Sequence, residues 1–323
     1  MMKKFLAISI DVEPDCSVDW TYSNPLAFRG VTEGIASRLH PLFIKYGMKP
    51  TYLVNNVVLD DKPSVNVLSN LKGSYELGSH LHPEFIEPQK EFQDYAGKRG
   101  LANSCHYPPD IEAAKIQSIT TLFRNCFGYS PTSFRAGRFS AGVNTMRTLA
   151  TLGYKVDTSV TPHVRWEDSS RKEAVDFRQG PEQPYLMDAN NILAADNQGT
   201  LLQVPVSITT RKASLLRELK RTRFGLRGKI KAETAVWLRP AVSTTKELLA
   251  LMDEFTAKYA NSPVIVFNMM FHNVEVMPGL SPYTRTESDC QAYMQQLEAV
   301  FQYTKRNQIL GCGLTDLYDE YRR

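Results

Sequence analysis

The sequence predicts an α/β fold in which parallel strands are joined by helices, gathered into one barrel-like domain. Three observations predict it. Short apolar, β-branched runs alternate with longer segments of helical period. Gly47, Gly128 and Gly153 stand where helical segments end, as a left-handed cap requires. The chain has 323 residues, of which 42% are hydrophobic, enough to bury one large core that also carries insertions. Alternation of this kind implies parallel strands with helical crossovers.

Taken in order, strand-length runs fall at 5–10, 51–58, 75–82, 133–139, 154–160, 201–208, 264–271 and 309–314. Helical patterns occupy 32–46, 111–127, 143–151, 244–259 and 289–307. The first run is too short for a membrane span of ~18 apolar residues. It closes on Asp11, so it reads as a core strand and not as a leader peptide. The stretch 164–199 is polar, carries prolines and lacks periodicity, and is expected to be an insertion near the barrel mouth.

Composition sets further limits. With 38 Lys and Arg against 34 Asp and Glu, the net charge of +4 is mild and gives no support to nucleic-acid binding. The basic residues are uneven, however, with nine between 211 and 231 against the single acid Glu218. That segment is either a solvated helix or loop, or a surface for phosphate and anionic membrane. Five cysteines without CxxC spacing argue against a disulfide framework or a cysteine zinc site and fit a reducing cytoplasm.

Chemistry-bearing residues gather where strands run out. In Asp11-Val12-Glu13-Pro14 the strand period of two sets both carboxylates on one face, and Pro14 ends the ladder. One acid can bind a cation while its neighbour takes a proton from water, although a solvated turn or helix cap has the same composition. His80-Leu81-His82-Pro83 repeats the device, offering two imidazoles to one metal. Arg135 ends the next strand, where it can hold a carboxylate in a fork or make a structural salt bridge. Asp157 and His272 end two more strands, and an Asp that bonds an imidazole keeps it oriented and charged as a general acid. His40, His106 and His163 lack such company and are expected at the surface or in support of the site.

The order of these segments resembles the polysaccharide deacetylase family, the NodB-homology carbohydrate esterases. The segments are Asp11-Val12-Glu13-Pro14-Asp15, Gly78-Ser79-His80-Leu81-His82-Pro83, Phe134-Arg135-Ala136-Gly137-Arg138 and Phe271-His272-Asn273-Val274-Glu275-Val276-Met277-Pro278-Gly279. They are most similar to the divergent deacetylase-like proteins of bacterial surface-polysaccharide clusters, lipopolysaccharide biosynthesis among them. The resemblance implies a distorted parallel (β/α) barrel with about seven strands. It also implies one divalent metal ion, zinc foremost with cobalt, nickel or iron as alternatives, and hydrolysis of an N-acetyl group on an amino sugar.

By position, Asp11 corresponds to the catalytic base, Glu13, His80 and His82 to the metal ligands, Arg135 to the residue that orients the base, Asp157 to the partner of the imidazole, and His272 to the acid. The family's first motif has adjacent acids and its second spaces the histidines four apart, whereas here both pairs are two apart. Gly137 and Arg138 replace a common proline, and Asp15 is an alternative ligand to Glu13. The implied partner is an N-acetylated sugar, lipid- or nucleotide-linked, with 211–231 facing a diphosphate or membrane surface. The competing readings are a catalytically inactive metal- or glycan-binding protein and an amidohydrolase for a small cyclic imide or formamide.

Overall fold

The computed structural model describes residues 2–90, 102–167, 175–188, 190–212 and 233–322. Its strands are β1 (Lys3–Val12), β2 (Thr51–Asn55), β3 (Glu76–Leu81), β4 (Ser133–Ala136), β5 (Val156–Asp157), β6 (Arg165–Trp166), β7 (Val175–Asp176), β8 (Tyr185–Asp188), β9 (Asn191–Ala195), β10 (Leu202–Gln203), β11 (Ile208–Lys212), β12 (Glu233–Trp237), β13 (Val264–His272) and β14 (Leu310–Cys312). β1 is the axis of the fold because its apolar, β-branched sequence is buried on both faces. β13 runs parallel along one side with Asp11 opposite His272, while β14 and then β2 share the other side.

From β13 the order continues β1, β2, β3, β4, β5, β10, with all these pairings parallel. This curled, predominantly parallel half-barrel agrees with the fold expected from the sequence. β8 and β9 extend its far edge as antiparallel strands. Among the described residues no ladder joins β10 back to β13, but the gap is bridged. Ser207 N–H donates to Asn268 O at 3.0 Å. Asn268 N–H donates to Ser207 Oγ at 2.8 Å, and the Gln183 amide clasps both backbone groups of Val266.

Side-chain alternation divides β1 between two environments. Ile8, Ile10 and Val12 join the main apolar layer under the helices, with Ile35, Phe43 and Phe301. Ala7 belongs instead to a smaller cluster with Leu53, Val156, Leu202 and Val266, closed by Leu314 and Leu317 from helix Leu314–Tyr321. Above it, Ser9 and Asp11 enter a polar network. The interior is thus stoppered with hydrocarbon below and polar toward the strands' C-terminal ends, where a site can form.

The sequence-based boundaries hold best where period and caps agree. Helix Val143–Thr151 matches its expected range, and Thr244 caps helix Thr245–Lys258 through the Glu247 N–H. Gly47, Gly128 and Gly153 adopt φ of 64°, 80° and 82°, as expected of left-handed caps. The run 51–58 changes at Asn55, whose side chain accepts the Val57 N–H and starts helix Asn56–Leu59 despite two β-branched valines. The described residues of the stretch 164–199 hold β6, β7, β8 and β9. Most of the basic segment 211–231 lies outside the described residues. Among those described, no helix is long and apolar enough to cross a membrane.

Candidate metal and catalytic centre

β1 ends one residue before Glu13, yet this residue is held as firmly as a strand residue. Asn273, just beyond β13, accepts the Glu13 N–H at 2.8 Å and donates to Glu13 O at 3.1 Å, replacing the missing ladder with a side-chain amide. Glu13 Oε1 then lies 3.0 Å from Nε2 of both His80 and His82, and the two imidazole nitrogens are 3.2 Å apart. All three side chains are buried. Among the described residues they are the one group of three with metal-ligand chemistry in mutual reach.

The protonation pattern tests whether a cation fits. His80 Nδ1 faces Arg135 O at 3.1 Å, and since a carbonyl only accepts, Nδ1 carries a hydrogen, so the neutral ring offers its lone pair at Nε2. That lone pair confronts a carboxylate oxygen and a second ring nitrogen. Without a shared cation such acceptors repel, so the donor set of two imidazoles and one carboxylate fits a divalent metal, zinc included. Burial lowers the His82 imidazole, but Glu13 outweighs it and pushes His82 up to about 9. Glu13 is correspondingly held well below the usual carboxylate range, burial being overcome by the two histidines.

Two residues that the sequence reading did not single out, Tyr22 and Glu84, support this cluster. Tyr22 donates its hydroxyl to Glu13 Oε2 at 3.0 Å. Buried Glu84 lies 3.7 Å from His82 Nδ1 and 2.7 Å from Arg138 Nη2, giving His82 an anionic backing. Gly137 matters through what it lacks, since a Cβ there would stand 2.9 Å from His82 Cδ2 and 2.7 Å from Leu81 O. The His82 imidazole thus occupies the space that a side chain at position 137 would fill.

Asp11 reaches the cluster from below. Its Oδ2 lies 3.9 Å from His80 Nε2 and 3.8 Å from His272 Nε2, and its Oδ1 accepts from Arg135 Nη1 at 2.6 Å. Arg135 is fully buried and its other donors go to Ser9 Oγ, Thr158 Oγ1 and Thr158 O. Burial alone would raise Asp11, but Arg135 and the two histidines hold it below its ordinary value. Arg135 thus meets the acid of β1 through a single hydrogen bond and not through the expected fork, because its other donors are taken by Ser9 and Thr158.

Two expectations are corrected. Asp15 does not join the ligands, because its carboxylate accepts the N–H groups of Arg29 and Gly30 at 2.9 and 2.7 Å and caps the wide-turn helix Gly30–Leu39. Asp157 is not the partner of His272. It accepts from Ser159 N and Oγ at 2.9 and 2.7 Å, which fixes the turn after β5. His272 Nδ1 instead meets Glu275 Oε1 at 3.0 Å, while Glu275 also accepts from Arg239 and from Tyr293 Oη. Glu275 is fully buried, yet Arg239 and His272 keep it below its usual range. Its signal was visible three residues after His272. Of the remaining histidines, His40 is buried between Tyr52 Oη and Lys72 O, and His163 pairs with Glu182.

The sequence matches no protein-family model and no curated protein. Solved structures do share its fold. A glycoside hydrolase/deacetylase, so assigned, from Parabacteroides distasonis has 10% identity and a TM-score of 0.62, covering 99% of this chain and 71% of its own. A protein from Mycobacterium smegmatis assigned as a polysaccharide deacetylase has 12% identity and a TM-score of 0.55, covering 99% and 91%. Puue allantoinase has 14% identity and a TM-score of 0.55, covering 98% and 90%. At such identities the likeness establishes the curled (β/α) barrel and no activity.

Proposed function

We propose that the protein is a metal-dependent hydrolase that removes the N-acetyl group from an amino sugar of a surface polysaccharide or its precursor. The observation that carries this reading is the meeting of Glu13, His80 and His82 at one point, with Asp11 beneath them and His272 across from Asp11. A divalent cation held by Glu13, His80 and His82 would polarise an amide carbonyl and acidify a water molecule. Asp11 Oδ2 accepts the proton of the attacking water. Arg135 keeps that carboxylate charged and fixed in angle. His272 acts as the imidazolium, giving its Nε2 proton to the departing amine while Glu275 accepts the Nδ1–H and orients the ring. Acetate and a free amino sugar are the products.

The polysaccharide deacetylase and glycoside hydrolase/deacetylase assignments among structures of the same fold support the substrate class. Linkage of the sugar to a lipid or nucleotide, with the basic segment 211–231 against its phosphates, is part of the same proposal. The test is metal content together with acetate release from N-acetyl sugars, free, oligomeric and UDP-linked. Wild type should bind about one equivalent of divalent metal and release acetate. Asp11→Asn should keep the metal and lose on the order of 10³-fold in kcat. Metal-loaded wild type that releases no acetate from any of these sugars sinks the hydrolase reading; turnover of a cyclic amide in its place favours the amidohydrolase.

A further inference from the structure

After β1 the chain makes a small hairpin in which Cys16 pairs with Tyr22, Ser17 N–H donates to Thr21 O at 2.8 Å, and Trp20 N–H donates to Ser17 O at 3.1 Å. A tight turn closed in this way needs a left-handed residue before the second arm, a place normally given to glycine or asparagine. Here it is Trp20, at φ 58°. No folding preference selects the bulkiest side chain for a conformation that a Cβ disfavours. An outlier of this kind beside a candidate active site directs attention to what its side chain touches.

The indole lies against His272, with ring centroids 5.0 Å apart and planes tilted by 54°. Tyr283 packs edge-on to the indole, with centroids 5.8 Å apart. Tyr283 is held by Arg239, whose guanidinium carbon is 5.3 Å from the ring centroid, and it is 37% exposed. His272 Nε2 points to the carboxylates of Asp11 and Glu13 at 3.8 and 3.9 Å, so Trp20 covers the flank of the imidazole and leaves its reacting nitrogen free of the indole. The two aromatic rings form a wall at the rim, next to the group that would protonate a departing amine.

Such a wall matches one face of a pyranose, whose axial C–H bonds are apolar while its hydroxyls point outward to solvent. We propose that Trp20, with Tyr283 beside it, is the sugar-stacking surface that sets the orientation of the amino-sugar ring against His272. The inference rests on the proposed hydrolase reading for its substrate class and goes beyond it in assigning the residue that recognises the ring. It makes Trp20 a specificity determinant, distinct from the ligands and from the proton-transfer pair. It also accounts for the strained backbone, because glycine would relax the turn and lose the wall.

The experiment uses Trp20→Gly, which relieves the turn, and Trp20→Phe, which retains a stacking face. Fold is monitored by thermal denaturation and metal content. Binding is read by calorimetry with free and oligomeric N-acetylglucosamine, N-acetylgalactosamine and their UDP-linked forms, on proteins that also carry Asp11→Asn so that turnover is suppressed. Trp20→Gly should melt no lower than its parent, keep its metal and bind the best of these sugars at least tenfold more weakly, with Trp20→Phe restoring most of the loss. In otherwise wild-type protein the Gly change should lower kcat/KM at least tenfold, with Trp20→Phe restoring most of it. Sugar affinity unchanged in Trp20→Gly, or no binding of any of these sugars by the parent, overturns the proposal. Sugar binding that depends on Trp20 in a protein whose wild type releases no acetate upholds it while the hydrolase reading fails.

Discussion

The two sides of the centre are assembled by different means. On the Glu13 side, the donors come from the ends of two strands, with Glu13 two residues past Asp11 and His82 two past His80. On the His272 side, the imidazole is set by Glu275 from a short turn, by Arg239 preceding helix Thr245–Lys258 and by Tyr293 within helix Glu287–Arg306. The first side is built by strand period, the second by packing of elements far apart in the chain. Strand period is local and therefore visible in sequence, whereas packing appears only when the elements are in place.

The comparison breaks first at the ligands. Loss of one donor from a three-residue set removes a whole coordination bond, so His80→Ala and His82→Ala should each weaken divalent-metal affinity by more than ~10²-fold. Calorimetric titration of the folded variants with zinc measures it. Metal binding as tight as wild type in both variants would show that the short-period side is no metal site.

A smaller effect sharpens the other side. Glu275→Gln leaves the metal donors intact but replaces a carboxylate by an amide at His272 Nδ1, and kcat for acetate release should fall by roughly 10²-fold with metal affinity within about twofold. Asp157→Asn, in contrast, should cost less than about tenfold, because its carboxylate serves Ser159 and not the imidazole. The reverse ranking would restore Asp157 as the residue that governs the acid.

What the sequence made legible follows the same division. The parallel order and the convergence of Glu13, His80 and His82 were readable because these residues follow a two-residue period on strands stopped by proline. Asp157 misled because it also ends a strand before a proline-bearing segment, and position along the chain cannot say which way its hydrogen bonds run. Asn273 escaped notice since a side-chain amide standing in for a ladder leaves no periodic trace. Trp20 escaped because nothing in sequence reports a positive φ when the residue is not glycine. The hairpin of β11 and β12 was missed because 201–208 read as one strand, whereas β10 ends at Gln203 and Ile208 begins a separate ladder.

The smallest expected effect concerns stability and isolates the role that Asp157 does have. Burial pushes this carboxyl up to about 6, even though Ser159 donates to it through both N–H and hydroxyl. With a folded value above the ordinary one, its contribution is complete below about pH 4, where both states hold the proton, and is lost as pH rises toward 6, because the unfolded chain releases the proton first. The offset corresponds to about 3 kcal/mol at most. Asp157→Asn carries no such titration, so the stability of wild type minus that of the variant should decline between about pH 4 and pH 6.5 and level off above it. Denaturant unfolding across that range measures the difference. A flat difference would mean that the Ser159 donors hold the carboxylate ionised at all these values; a decline would make Asp157 an acid spent on closing its own strand end, which is why the imidazole took its partner from the turn after β13.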